Sequence, residues 1–186
     1  DGSLLNRYWD ARDDPREESW RDDVLTARAS GREERQVWRD LRAAAESGWD
    51  FSSRWCVVPD RLCTIETTSI LPVDLNALLF GLEQAIAQGS RQAGDIATAA
   101  AFAARAARRA QAVHQLMWHQ ADGHFVDYHW VRKEPLRRLT AATVVPLYLG
   151  LATPAQAQGT AESVERHLLA RNGLLTTCES TGQQWD

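Results

Sequence analysis

Apolar residues recur along this chain at helical spacing, and no alternating run reads as a β-strand. Between Glu33 and Glu46, Val37, Leu41 and the Ala44/Ala45 pair form one stripe with charges between them, and Ser47-Gly48 stops it. From Pro72 to Gln88 the positions Val73, Leu75/Ala77, Leu78/Leu79, Leu82 and Ile86 keep the same period, with proline in the first turn and Gly89 as the expected stop. Asp95 to Trp118 is a long alanine-rich segment whose small side chains let another helix approach closely. A shorter helix is expected over Ser19 to Ala29. Two more follow, at Thr140 to Leu151 despite Pro146, and at Pro154 to Leu169, where Thr153 can cap.

Helices joined mostly by short turns pair into antiparallel hairpins, so the expected fold class is all-α, built from about three helical hairpins. Polar and aromatic residues collect in the segments 48–69, 120–138 and 171–186, and chemistry is expected there, at the helix ends. No low-complexity stretch or linker divides the chain, which reads as one domain over residues 1–186.

With 44% hydrophobic and 25% charged residues, a fibre or a disordered tail is excluded. A net charge of −4, a pI near 5.7 and no long basic run argue against a nucleic-acid partner. No run approaches the ~20 apolar residues of a membrane span, and no leader pattern opens the chain. Cys56, Cys63 and Cys178 match no common metal or redox spacing, so buried or free thiols are expected, with a Cys56–Cys63 bridge open in an oxidising compartment. The unusual feature is eight tryptophans against four phenylalanines and three tyrosines. An indole face suits stacking on a sugar ring, although tryptophan is also core material.

The chemistry concentrates in Glu46-Ser-Gly-Trp-Asp-Phe-Ser-Ser-Arg-Trp55. Here Asp50 sits at a helix end among Trp49, Phe51 and Trp55, where partial desolvation favours a protonated carboxyl, as a general acid requires. Alternatively Asp50 caps a turn or pairs with Arg54.

Extended to Ala45, that stretch together with Thr67-Thr-Ser-Ile-Leu-Pro-Val-Asp-Leu-Asn-Ala-Leu-Leu-Phe80 resembles the bacterial α,α-trehalases of the helical-barrel glycoside hydrolase type. Leu5-Asn-Arg-Tyr-Trp-Asp10 with Pro15-Arg-Glu-Glu-Ser19 is similar to the preceding trehalase block, and Gly182-Gln-Gln-Trp-Asp186 to the opening of a later one. The resemblance implies part of an (α/α)6 barrel, truncated at both ends. It also implies inverting hydrolysis of trehalose with Asp50 as the general acid and a general-base glutamate beyond residue 186. Arg16, Glu17, Glu18, Gly48 and Trp185 are the implied sugar-contacting residues, although Glu17 stands where relatives commonly carry proline. A sugar is then the only partner expected, with no cofactor, no metal, no membrane and a monomeric whole protein; the resemblance favours the periplasm. Another inverting glucosidase on the same barrel, or a helical interaction module, is the alternative.

His114, His119, His124 and His129 recur every five residues, but steps of about 500° scatter them around a helix, and no metal site is expected. The turn around Asp122-Gly123 resembles a hairpin of such barrels, with Asp127 able to reach a site rim. No GxGxxG, GxxxxGK[ST] or GxSxG motif occurs, so neither a nucleotide cofactor nor a nucleophile-elbow serine is expected. Ser52 and Ser53 are weak nucleophile candidates. Arg105, Arg108 and Arg109 read as a solvated helix face. Asp74 and Asn76 read as helix-start residues, with orientation of the Asp50 loop as the lesser alternative.

Overall fold

In the computed structural model, which describes residues 5–186, the chain opens with an extended segment and a short 3-10 turn over Glu17–Ser19. Helices α1 (Trp20–Ser30) and α2 (Glu34–Ser47) form the first hairpin. Val37, Leu41 and Ala44 of α2 are fully buried, as the periodicity predicts. Gly31 and Gly48 end these helices in the left-handed conformation, with φ of 67° and 71°.

The second hairpin joins α3 (Val73–Gln92) to α4 (Ile96–Leu116). Val73, Ala77 and Phe80 of α3 share one buried cluster with Ala106 and Val113 of α4, and Ala87, Ala99 and Ala112 are buried as well, so the alanine stripe serves helix packing. Gly89 does not stop α3. The helix runs on to Gln92, because the left-handed turn falls at Gly94, with φ of 81°, and Asp95 then caps α4 by accepting from Thr98 N–H at 3.0 Å.

The third hairpin is reduced. Residues 140–151, expected as one helix, form a 3-10 turn over Ala141–Val144 followed by α5 (Val145–Tyr148). Pro146 has no N–H and its ring collides with a carbonyl one turn back, so it starts a helix instead of lying inside one. Helix α6 (Pro154–His167) begins at a capping box in which Thr153 and Gln156 exchange side-chain and backbone bonds.

Short strands, too brief to show a period, stitch the connections. In chain order they are β1 (Ile70–Leu71), β2 (Trp118–His119), β3 (His124–Phe125), β4 (Asp127–His129), β5 (Glu134–Leu136), β6 (Leu169–Ala170) and β7 (Gly173–Leu174). The antiparallel order β1-β4-β5, with Ile70 opposite His129 and Tyr128 opposite Pro135, fastens residues 127–136 beside the start of α3.

Two buried clusters form the interior. One gathers α3, α4, Met117, Phe125 and Ala142; the other gathers Ala27, α2, Trp55, Ile65 and Ile70, and Trp49 packs on both. Between them Arg54, 2% exposed, gives one edge of its guanidinium to Asp74 at 2.8 and 2.9 Å and another to Asp127 at 2.7 and 2.8 Å. Asp127 therefore does not reach a site rim; its carboxylate also receives Val73 N–H at 2.9 Å.

Arg109 corrects the expectation of a solvated face. It is 2% exposed and forks onto Glu83 at 2.8 and 3.0 Å, while Arg105 and Arg108 stay outside. Arg109 lies on the same helix stripe as Ala106, Ala112 and Val113, the face turned to α3, and Glu83 waits there to neutralise it. The three cysteines are unbridged, so the Cys56–Cys63 link is not made.

Asp127→Ala leaves a buried guanidinium half compensated and is expected to cost about 3–5 kcal/mol in urea unfolding; a loss below about 1 kcal/mol would show that Arg54 is not desolvated. For Asp74, burial pushes its carboxyl up, but Arg54 outweighs it and holds it below the usual range. Its contribution is therefore complete above the unfolded value of about 3.9 and disappears as pH falls through the lower folded value, so the stability gap to Asp74→Asn should shrink below about pH 4. Burial pushes the Cys56 thiol up to about 12, and iodoacetamide at pH 8 should label exposed Cys178 well before Cys56.

Candidate active site

Asp50 lies three residues after the end of α2. The left-handed turn at Gly48, whose N–H donates to Ala45 C=O at 3.2 Å, swings the chain off the helix axis. Trp55 then turns inward, fully buried, and donates Nε1–H to Trp49 C=O at 3.0 Å, closing residues 49–55 into a compact loop. Trp55 thus belongs to the core. The Asp50–Phe51 peptide is cis.

Arg54 stacks between Trp49 and Trp55, with its guanidinium carbon 4.7 and 4.6 Å from the two ring centres. Its donors are taken by Asp74 and Asp127, so Asp50 does not pair with it. Nor does Asp50 cap a turn. Among the described residues its half-buried carboxylate accepts no hydrogen bond and forms no ion pair.

Arg16 approaches from the opening segment. Its guanidinium carbon lies 4.8 Å from the Phe51 ring centre, and Nε and Nη2 fork onto buried Asp23 at 3.0 and 2.7 Å. The Arg16 N–H also reaches Asp23, at 2.8 Å. Burial works against this cation, but Asp23, Glu18 and Asp50 together hold it above its ordinary value, which places Asp50 within its field.

The other sequence candidates are distributed unequally. Glu18 is exposed in the 3-10 turn beside Arg16. Glu17 points to solvent and is engaged by Arg12 and by Arg42, the latter at 3.2 Å, an electrostatic duty that explains an acid at this position. Gly48 is exposed, and a Cβ added there would meet nothing within 4 Å, so its glycine is required by φ and the space above it is open.

Trp185 returns from the far end of the described chain. Its N–H donates to Phe51 C=O at 3.1 Å, and its ring centre lies 6.3 Å from that of Trp49. Its own Nε1 is buried without a partner among the described residues. The structure thus gathers Arg16, Glu18, Gly48, Asp50, Phe51 and Trp185 around one loop.

Two residues absent from the sequence candidates shape it. Asp23, seven positions after Arg16, is a buried acid in the first turn of α1, and an acid at a helix start spaced from an arginine was the available signal. Asp186 has no local signal at all; its carboxylate accepts from Ser52 and Ser53. The histidines at five-residue spacing go separate ways, with His114 against Phe125, His119 at 3.0 Å from Asp122 and His129 at 3.3 Å from Glu66. Ser52 and Ser53 are buried and donate to Asp186, which leaves no nucleophilic arrangement around them.

Comparison with solved structures finds the neutral trehalase Nth1 of Saccharomyces cerevisiae, 26% identical, with a TM-score of 0.76 over 98% of this chain and 39% of that one. The chain thus spans well under half the length of the yeast protein, and its hairpins are part of the same helical-barrel fold. An uncharacterized conserved protein from Thermus thermophilus, 21% identical with a TM-score of 0.53 over 58% of this chain and 27% of that one, shares the fold alone. The family model described as trehalase matches residues 1–186, from end to end, and the chain belongs to the trehalase family.

Proposed function

We propose that this chain forms part of an α,α-trehalase that hydrolyses trehalose to two glucose molecules with inversion, and that Asp50 is its general acid. The observation that carries the reading is the Asp50 carboxylate, unpaired among the described residues. Other carboxylates of this region are spoken for: buried Asp23 by Arg16, buried Asp74 and Asp127 by Arg54, and half-buried Asp186 by hydroxyls. Those carboxylates are committed to partners that hold the fold, whereas the Asp50 carboxyl has no neighbour among the described residues to displace before it meets a substrate oxygen.

In the proposed mechanism Asp50 protonates the oxygen that joins the two rings, and a glutamate outside residues 1–186 activates a water on the opposite face. For inversion the two carboxyls stand ~6.5–9.5 Å apart, leaving room for that water. Arg16 has one terminal nitrogen beyond its fork with Asp23, and with Glu18 it holds sugar hydroxyls through charge-assisted bonds worth about 1.5–3 kcal/mol each. Trp185 borders a ring with its indole face, and its Nε1–H is available to a hydroxyl. Over Gly48 the absent side chain leaves room for the second glucose.

The test uses the full-length enzyme. Asp50→Asn keeps the shape of the side chain and removes the proton, so kcat on trehalose is expected to fall about 10²–10⁴-fold while KM changes by less than about threefold. Turnover within about threefold of wild type would remove Asp50 from the mechanism.

A further inference from the structure

The Asp186 carboxylate lies in a nest of neutral donors. It accepts Ser52 Oγ–H at 2.9 Å, Ser53 Oγ–H at 2.8 Å, Ser53 N–H at 2.9 and 3.0 Å, Thr177 Oγ1–H at 3.2 Å, and the Thr181 hydroxyl. Burial pushes this carboxyl up, yet the hydrogen bonds from Thr181, Ser53 and Ser52 outweigh it and hold it below the ordinary range, so it remains an anion. One residue earlier, Trp185 N–H is tied to Phe51 C=O at 3.1 Å. Residues 51–53, immediately after the acid, are thereby fastened to a segment more than 130 positions away.

One residue further along the same loop Arg54 is anchored to Asp74 and Asp127. The backbone from 51 to 54 is clamped between two sets of charge-assisted bonds, and Asp50, with no partner of its own among the described residues, takes its place from that clamp. We propose that Asp186 is a positioning residue that sets where the Asp50 carboxyl stands, acting through Ser52 and Ser53. The inference rests on Asp50 being the general acid.

The chemistry of the nest identifies the variant. An amide at position 186 keeps one accepting oxygen and places an NH2 group where Ser53 N–H, which cannot rotate away, also donates. Asp186→Asn therefore displaces residues 52 and 53 while the distant anchor at Arg54 holds.

The experiment compares full-length wild type, Asp50→Asn and Asp186→Asn on trehalose and on α-D-glucosyl fluoride. Fluoride leaves as a weakly basic anion and needs no proton from the enzyme, whereas the glucose leaving from trehalose does. Asp186→Asn is expected to lower kcat on trehalose about 10²-fold, the scale of a misplaced catalytic group, with KM within about threefold and fluoride turnover within about threefold of wild type. Equal losses on both substrates, or no loss on either, overturn the proposal. If Asp50→Asn itself fails to spare the fluoride, the general-acid reading falls and the proposal with it. If Asp50→Asn spares the fluoride and Asp186→Asn does not, only the proposal falls. Should Asp186→Asn not fold, Ser53→Ala, which removes a single donor, is expected to lower the ratio of trehalose to fluoride turnover in the same direction, and an unchanged ratio overturns the proposal.

Discussion

One buried cation organises this structure. Arg54 sits between two indole rings and is neutralised by two carboxylates, one from the first turn of α3 and one from β4. Taking three charges out of water carries a desolvation cost of several kcal/mol per ion, which only near-ideal geometry offsets. The geometry here is of that kind: both carboxylates receive two guanidinium N–H bonds each, and Asp127 and Asp74 also accept backbone N–H groups from the start of α3. What the network provides is registry. The loop after α2, the beginning of α3 and the β4 strand can meet in only one arrangement if no buried charge is to be left alone.

That registry separates structural from chemical carboxylates. Asp23, Asp74, Asp127 and Glu83 are each matched to an arginine at 2.7–3.0 Å and serve the scaffold. Asp50, by contrast, is left without a partner among the described residues. The general-acid role proposed for it requires such freedom from pairing, and the ion pairs leave it that freedom by satisfying nearby cations elsewhere. Arg16 is the intermediate case, committed to Asp23 on one edge and turned toward the Phe51 ring and the field of Asp50 on the other.

Scaffold and site follow different rules along the chain. The α3–α4 hairpin buries Val73, Ala77 and Phe80 with Ala106 and Val113 in one cluster and is linked by the Glu83–Arg109 fork. The residues gathered at the site come from the ends of these helices and from the segments between them, where glycines at positive φ and short 3-10 turns redirect the backbone. Hairpins joined by such connections bring positions as distant as 16, 50 and 185 to one loop, the site proposed for this chain.

Much of this was legible in the residues themselves. Helix periodicity, the Thr153 cap and the Gly48 stop depend on neighbours within a turn or two, so their signals are local. The Ser-Gly-Trp-Asp stretch likewise marks its own loop. The break in 140–151 follows from Pro146 itself, whereas the extension of α3 past Gly89, the burial of Arg109 and the short strands were settled by packing, since a glycine without a positive-φ demand stays helical and an arginine with a buried acid opposite goes inside. The partners of Arg54 and Asp186 lie 73 and 133 positions from their donors or acceptors. No local pattern encodes such pairings; they exist only once the hairpins close and bring unlike charges, or an anion and its hydroxyls, out of water together.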